Sequence, residues 1–475
     1  MYKKAAAFAA ILAVVSPSAV HAITLREALT ATLYSNPQIG QAVENREAIE
    51  FELRQARGLF LPSIDLDAST GAQRLDNESR RLTSIEDDDL YPRDVGITVS
   101  QKLFDGGARR AERDRQASRV DGASFRVLER SETLGLQVIR EYIEIILQGE
   151  ILGEARENLK FHQSIQADVS DLVAGGKLTD ADRQQVDERL LASRVRSEQA
   201  AEDLEAAKIR FVTLVGRPIG NWAMPGSVVR SIPKTLDEAV ALGRSNNPRI
   251  QAAIADISAA EASVNAARAE YSPKVYVEGA ARTGMEINGD DGRTTDYQVR
   301  LAARWNLYRG GIDSAAEQEQ IRRASEARLA MHQAHREVEE AVRISWDRRA
   351  RQAAQAVLLQ QQSAENSRLV ESYRSQLDLG QRSLLDVLDA QNTEYNVAIL
   401  AKTARYAARF AEYRLLAATG ILLKTMDLKP PQQSQGYPRA EYNVPPAQPT
   451  DIYRSVPSSQ SSKPPIDLLV PVQKP

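Results

Sequence analysis

The residues best placed to do chemistry lie between Asp378 and Ala390, where the sequence reads DLGQRSLLDVLDA. Asp386 and Asp389 are three residues apart, so a helix would place both carboxylates on one face. Ser383 and Asp386 have the spacing of a capping box that starts such a helix. Gly380 permits the positive φ at which a preceding helix ends. The stretch therefore predicts the sharp tip of a helical hairpin, carrying two negative charges that would attract cations.

The same pattern of turn and capping residues occurs a second time, earlier in the chain. The matched residues, all 204 positions apart, are Gly176 with Gly380, Thr179 with Ser383, and Asp182 with Asp386. Two interpretations of Asp182 and Asp386 stay open at this point. Each carboxylate either controls a passage or only caps the helix that it begins.

Metal and catalytic chemistry find little support in the sequence. Of the four histidines, His332 and His335 form the one metal-like pair, and no third ligand is evident. A solvated helix face explains this pair better. With a formal charge of −3 and no basic cluster, the chain also lacks the positive surface that nucleic acid needs. We predict a protein that is not an enzyme and that has no cofactor, metal site or nucleic-acid partner.

The first 22 residues predict a cleaved signal peptide. Lys3 and Lys4 are followed by an apolar run, and small residues precede Ile23. A membrane anchor is the alternative, but the apolar run is short for a bilayer span. The chain has no cysteine, so neither disulfides nor a lipid-bearing thiol can form. Since no later apolar window could form a spanning helix, we expect any insertion into a membrane to use a β-barrel.

The chain consists of two repeats of one plan. Asn36-Pro37 recurs as Asn247-Pro248, and LFDGG at Leu103–Gly107 recurs as LYRGG at Leu307–Gly311. The paired glycines predict strand-to-helix turns; they are Gly106, Gly107, Gly310 and Gly311. We assign residues 23–226 to the first repeat and 227–428 to the second. Residues 429–475 are rich in Pro, Ser and Gln and predict a disordered tail.

Each repeat predicts two strands, joined by an exposed loop at 76–94 or 286–296. Apolar and polar residues alternate along these strands, as in Ile64 to Thr70 and Tyr297 to Trp305. A water-soluble hairpin with one buried face is the alternative. In an exported chain without a spanning helix, the alternation favours a transmembrane barrel.

Long helices fill the rest of each repeat. No proline lies between Pro92 and Pro218 or between Pro273 and Pro430. A helix from Gly107 to Gly175 would be roughly 100 Å long, and a partner from Thr179 to Val215 only about 55 Å. We expect the helix at 38–58 to stack end to end on this shorter partner.

With this duplicated plan and the DLGQRSLLDVLDA tip, the sequence resembles the TolC family of bacterial outer-membrane channels, from about Ile23 to Leu428. The resemblance implies a mixed α and β, mostly helical fold. It implies a homotrimer in which each chain adds four strands to a 12-stranded outer-membrane barrel. The helices would continue this barrel as a coiled-coil tunnel in the periplasm.

The resemblance also implies roles at the tips. Asp386 and Asp389 would form an acidic ring at the periplasmic entrance, and Arg382 and Asp182 would be charged partners that hold the coils shut. The chain departs from the family pattern at Leu377, where a tyrosine is expected, and at Ala181, where a threonine is expected. These departures put the hydrogen-bonded part of the lock in question.

The function that the resemblance implies is an exit duct in the outer membrane. Substrate would come from an inner-membrane transporter, either ABC-type or proton-driven, through a periplasmic adaptor of the membrane-fusion class. We favour type I protein secretion, with multidrug efflux as the alternative. A periplasmic coiled-coil adaptor is the alternative of another class, but adaptors normally have one hairpin and an anchor, whereas this chain has two hairpins and strand pairs.

Overall fold

The structure is a computed structural model that describes residues 23–85, 87–220, 222–287 and 292–447. The predicted signal peptide at 1–22 and residues 448–475 of the predicted tail lie outside these ranges. None of the helices in these ranges is long and apolar enough to cross a membrane.

Two repeats of helices and strands follow one another along the chain. The elements of the first are α1 Leu25–Ser35, α2 Pro37–Gly58, β1 Ser63–Thr70, β2 Gln73–Arg74, α3 Glu78–Leu82, β3 Asp89–Leu90, β4 Arg93–Phe104, α4 Ala108–Ala174 and α5 Asp180–Val215. Those of the second are α6 Leu236–Asn246, α7 Pro248–Ala269, β5 Lys274–Met285, β6 Arg293–Arg304, α8 Ile312–Asp378 and α9 Leu384–Ala418. Two short helices end the described chain, α10 Leu422–Thr425 and α11 Pro438–Glu441.

The long helices match the predicted lengths and the predicted stacking. Both α4 and α8 have 67 residues. At the junction of α2 with α5, the Asn36 side chain caps α2 and donates to the Leu214 carbonyl at 2.9 Å. Asn247 does the same for α7, donating to the Ala418 carbonyl of α9 at 3.1 Å. Each short helix therefore stacks on the end of the shorter hairpin arm, as predicted.

The four long strands form one antiparallel sheet in the order β1-β4-β5-β6. One face is apolar and exposed, with Leu66 and Val299 among its side chains. The other face carries cross-strand ion pairs such as Arg282 with Asp94 at 2.9 Å. Within the described chain β1 and β6 are sheet edges, each with one free side.

The turns from strand to helix have the predicted backbone. Positive φ angles occur at Gly106, Gly107, Gly310 and Gly311. At Gly106 a side chain would also clash with Ser272, so both conformation and space require glycine there. The loops differ from the prediction in detail: β4 and β6 begin earlier, at Arg93 and Arg293, and the first loop contains β2, α3 and β3.

The main core lies where short elements pack on one side of the long helices. We call α1, α6, α10 and the linker at 222–232 the belt. Leu29 and Leu33 of the belt share one apolar cluster with Leu134 and Val138 of α4. Beside this cluster, the buried Glu132 of α4 is 6% exposed and accepts the Leu423 backbone N–H at 3.3 Å. Burial raises the pKa of this carboxyl to about 7.

The predicted disorder of 429–475 is wrong for residues 429–447, which we call the strap. The strap runs along α2 and α4, and Arg439 donates to the Asp121 carboxylate at 2.8 Å. Tyr442 lies against Arg113, whose guanidinium carbon is 4.7 Å from the ring centroid. The Pro, Ser and Gln content of this segment predicted disorder, because amino-acid composition contains no information about the partners of single residues. Those partners lie hundreds of residues away in the sequence.

Candidate functional site

Both hairpin tips have the same backbone. At the first, Gly176 has φ +68° and the Lys177 N–H donates to the Leu172 carbonyl at 2.9 Å. At the second, Gly380 has φ +70° and the Gln381 N–H donates to the Gln376 carbonyl at 2.9 Å. These bonds satisfy carbonyls that the helix end would otherwise leave unpaired.

Each tip continues into a complete capping box. The Asp182 N–H donates to Thr179 Oγ1 at 3.3 Å, and the Thr179 N–H donates back to the Asp182 carboxylate at 2.9 Å. In the second tip the Asp386 N–H donates to Ser383 Oγ at 3.2 Å, and the Ser383 N–H donates back at 3.3 Å. Asp182 and Asp386 are therefore helix caps in the folded chain, whatever further role they have.

The capping bonds also set the charge of both carboxyls. The backbone hydrogen bond from Thr179 lowers the pKa of Asp182. The side-chain hydrogen bond from Ser383 lowers the pKa of Asp386, and the nearby Arg382 lowers it further. Both groups are consequently held in the charged form at neutral pH.

Asp389 faces outward from the same helix as Asp386. Its side chain is 62% exposed, and its nearest cation is Arg189 of α5, with Nη2 and Oδ1 3.6 Å apart. This contact links the second tip to the first hairpin. An exposed carboxylate with one distant partner remains able to bind a cation from solution.

Arg382 and Asp182 have separate partners in this chain. The Arg382 guanidinium stacks on Tyr373, 4.1 Å from the ring centroid, and its Nε donates to Gln376 at 3.2 Å. Its Nη1 is 3.9 Å from Asp386. Arg382 and Asp182 do not contact each other within the described chain, and their expected role in holding the coils shut stays a prediction.

The departure at Leu377 has a structural explanation. Leu377 packs against an apolar cluster that joins the two tips, in which Val186 of α5 and Leu388 of α9 are fully buried. The aromatic ring stands one helical turn earlier, at Tyr373, and receives Arg382. Sequence analysis missed Tyr373, Gln376 and Arg189, although Tyr373 is four residues before Leu377 and so on the same helix face.

The two hairpins are held together by contacts between α4 and α9. Lys402 pairs with Glu154 at 2.9 Å, and Arg405 pairs with Glu150 at 2.6 Å. The Tyr406 hydroxyl also donates to Glu150 at 2.6 Å. Since α5 contacts α4 and α8 contacts α9, the side-by-side order of the long helices is α5-α4-α9-α8.

The described residues contain no group of three or more His, Cys, Asp and Glu side chains arranged to hold a metal ion. His162, which the sequence leaves isolated, lies near the tip cluster beside Phe161. Burial lowers the pKa of His162 to about 4, so this imidazole is neutral at physiological pH. Burial also lowers the pKa of His335.

Known proteins are similar to this chain in sequence and in fold. The family model described as "Outer membrane efflux protein" matches residues 28–217 and 240–421. The outer membrane protein TolC of Vibrio cholerae is 23% identical over 424 residues, which are 85% of this chain and 92% of that protein. The proteases secretion protein PrtF of Dickeya chrysanthemi is 22% identical over 432 residues, or 88% and 91%.

A solved structure agrees with these relatives. The Campylobacter jejuni CmeC outer membrane channel superposes with a TM-score of 0.74 at 15% identity, over 88% of this chain and 89% of that one. The predicted resemblance, the mostly helical fold and the outer-membrane location with a periplasmic helical domain are thereby confirmed. The two family matches fall on the two repeats, and the chain belongs to the outer membrane efflux protein family, whose members are channels and not enzymes.

Proposed function

We propose that the chain forms a homotrimeric exit duct that carries substrate from an inner-membrane transporter and a periplasmic adaptor to the cell exterior. The observation that carries this proposal is the pair of free edges on the sheet and on the helix layer. Four strands cannot close on themselves, and free strand edges in lipid leave backbone groups without hydrogen bonds. Three copies would give the 12 strands of one closed barrel, with β1 of one chain against β6 of the next.

The helix layer has matching free edges. On α5, Leu191 and Val195 are 59% and 68% exposed, and on α8, Leu358 and Leu369 are 65% and 40% exposed. Because α5 and α8 are the outer members of the order α5-α4-α9-α8, joining α5 to a neighbour's α8 would close the helices into a ring. The same head-to-tail contact would bury these apolar side chains.

An engineered disulfide tests the ring directly, because the chain has no native cysteine. Leu191 and Leu369 lie at comparable heights, each near the tip-proximal end of its helix. A chain carrying both Leu191→Cys and Leu369→Cys should migrate as a covalent trimer after oxidation. Each single variant should stay monomeric in denaturing gels. A double variant that yields no covalent trimer would refute this arrangement of edges.

At the closed end of the duct, we propose that Asp386 and Asp389 of three chains form an acidic entrance. Six carboxylates around one opening raise a strong negative potential, which concentrates cations. Arg382 and Asp182 would then be available to pair with a neighbouring chain, since neither pairs with the other within one chain. The capping role of Asp386 is compatible with this one, because its outer lone pairs remain free.

Single-channel current in a planar bilayer tests the entrance, with a trivalent cation added on the periplasmic side. Asp386→Asn with Asp389→Asn should abolish block, because asparagine keeps the cap but removes the charge. Gln185→Asn, at the position of the first tip that matches Asp389, is the control and should be blocked like the parent. Equal block of the double variant would leave Asp386 as a helix cap and Asp389 as a solvated residue of the helix face, with no role at the entrance.

For the transported substrate we propose a protein delivered by an ABC transporter. The similarity to PrtF, which is named a proteases secretion protein, supports a protein substrate over a small molecule. The family's own description as efflux proteins supports the alternative. Identifying the transporter that copurifies with the crosslinked trimer decides between them: an ABC transporter supports protein secretion, and a proton-driven pump supports efflux.

A further inference from the structure

A groove between α4, α8 and α9 has the composition of an anion site. Its volume is 520 Å³, and one arginine from each helix lines it: Arg140, Arg348 and Arg414. Gln137 and Gln352 add amide donors. No Asp or Glu of the described chain lines this groove. Three guanidiniums without a carboxylate among them leave a concentrated positive potential.

The three arginines are not balanced by ion pairs elsewhere in the described chain. Several other arginines on the long helices pair with a carboxylate one turn away, as Arg343 does with Glu339 at 2.8 Å. None of the three groove arginines makes a salt bridge or hydrogen bond among the described residues. Burial lowers the pKa of Arg414, and the like charge of Arg348 lowers it further. An anion between these groups would favour the charged form of Arg414 and so counteract the lowering of its pKa.

One side of Arg414 meets acidic residues. It also lines a neighbouring cavity of 460 Å³, together with Glu129, Glu132, Glu337 and Glu340. Glu132 is the most buried of these and already accepts the Leu423 N–H. These carboxylates lie at the belt end of the groove, whereas Arg140 and Arg348 line only the acid-free groove.

The groove lies on the side of the long helices that the belt leaves uncovered. On α9, Tyr413 donates to the Gly226 carbonyl of the belt at 2.7 Å, and Glu412 accepts the Val228 N–H at 3.0 Å. Arg414 is two residues beyond Glu412, so it points to the other side. On α4, Gly135 packs on Leu423 of the belt, and Gln137 is again two residues away.

We propose that this groove binds multivalent oxyanions through Arg140, Arg348 and Arg414, and that in the trimer it lines the passage. The ligand class is one with several carboxylate or phosphate oxygens, because guanidinium groups match these oxygens in a two-pronged geometry. The apolar ring of Phe410 lies in the same groove and would contact a carbon skeleton attached to the anion. The position in the passage rests on the proposed trimer; the binding itself does not.

The passage would then have two charge zones of opposite sign. Asp386 and Asp389 would attract cations at the tips, and the arginine groove would attract anions nearer the belt. An acidic segment of a transported chain, once past the tips, would meet a zone that binds it. In this proposal the long helices bind the substrate as well as forming the wall of the passage.

Binding is tested on the detergent-solubilised full chain by titration calorimetry with pyrophosphate. The parent should bind it, and Arg348→Gln should weaken binding about tenfold, the loss of one charge-assisted hydrogen bond. Arg348→Gln with Arg414→Gln should weaken it about a hundredfold. Arg343→Gln is the matched control on α8, and its affinity should equal that of the parent. Unchanged affinity in the double variant, with parent helicity by circular dichroism, overturns the site.

The position in the passage is tested by single-channel current with pyrophosphate added at the strand end, away from the tip aspartates. Block that disappears in the double variant and persists in Arg343→Gln supports a site in the passage. Binding without block overturns that position. The covalent trimer of the cysteine pair is a separate assay, so failure of the proposed assembly would be seen there and not in the calorimetry.

Discussion

The two hairpin tips have the same backbone conformation but differ in which helix face is buried. Leu384 and Leu388 of the second tip are 6% and 0% exposed, packed against α4 and α5 of the first hairpin. The matched positions of the first tip, 204 residues earlier, are Asp180 and Gln184, and both are exposed. The two tips therefore have the same turn and the same cap, but the helix face that follows is apolar and buried in the second tip and polar and exposed in the first. The second tip packs its leucines against the apolar side chains of the first hairpin.

This difference separates two kinds of information in the sequence. Glycine, the N-cap hydroxyl and the aspartate three residues later are enough to fix each turn, because they act within one helical turn of it. The choice between an apolar and a polar helix face depends instead on what packs there. The packing of the helix faces also separates the tips at Asp389, because this exposed acid is present on the second tip and the first tip has Gln185 at the matched position.

The largest effect should come from the buried leucine of the second tip. Leu388→Ala should destabilise the packing of the tips by about 2–5 kcal/mol, because it leaves a cavity in a closed apolar cluster. The matched change Gln184→Ala should have little effect. Hydrogen exchange at the start of α9 measures both. Similar loss of protection in the two variants would show that the tips are equivalent after all.

The same asymmetry extends to the long helices at Glu132. The matched position in α8, 204 residues on, is the exposed Arg336. The folded pKa of Glu132 is raised from 4.5 to about 7, so the folded state retains a proton that the unfolded state has lost. The free energy of unfolding therefore keeps the full contribution of Glu132 below pH 4.5. It falls by roughly 3 kcal/mol as the pH rises from 4.5 to about 7, because only the unfolded state loses its proton in this range.

Glu132→Gln should therefore raise the unfolding temperature at pH 8 and leave it unchanged at pH 4. Circular dichroism during heating at both pH values measures this. Arg336→Gln is the control and should show no such pH dependence. A parent protein whose stability rises from pH 5 to pH 7 relative to Glu132→Gln would contradict the raised pKa of this carboxyl.

Cap removal should affect the two tips equally. Ser383→Ala and Thr179→Ala should each cost about 1 kcal/mol, because each leaves a first-turn N–H unbonded. Hydrogen exchange in the first turns of α9 and α5 compares them. A much larger loss at one tip would mean that its cap also supports contacts outside its own turn.

The smallest effect should be the acid response of the caps. Because hydrogen bonding lowers the pKa of Asp182 and Asp386 below 3.8, their contribution is complete above that pH and is lost as pH falls through the lowered values. Asp182→Asn and Asp386→Asn should each remove this acid-dependent loss of protection at its own tip. The measurement is first-turn hydrogen exchange between pH 2 and pH 5, corrected for intrinsic rates.

Much of the fold could be predicted because it is local and written twice. The caps at Thr179 and Ser383, the glycine turns and the proline-free helices depend on near neighbours in the sequence, and the structure has them. The partners of Arg382 could not be predicted, since Tyr373 and Gln376 compete with Asp182 and only geometry decides. The arginine groove was equally hidden, because Arg140, Arg348 and Arg414 lie on three helices and share no sequence spacing.

The strap connects the last part of the chain to its first repeat. Arg439 reaches Asp121 across 318 positions, and the Asp121 side chain is only 5% exposed. Removing only the charge of Arg439 would leave this carboxylate covered by the strap but without its cation, which is costly for a buried charge. Bringing together residues so far apart in the sequence costs loop-closure entropy, which the contacts of the strap must offset. The packing of the first repeat around Asp121 is therefore complete only when the strap is in place, so residues from the end of the described chain contribute to the stability of its beginning.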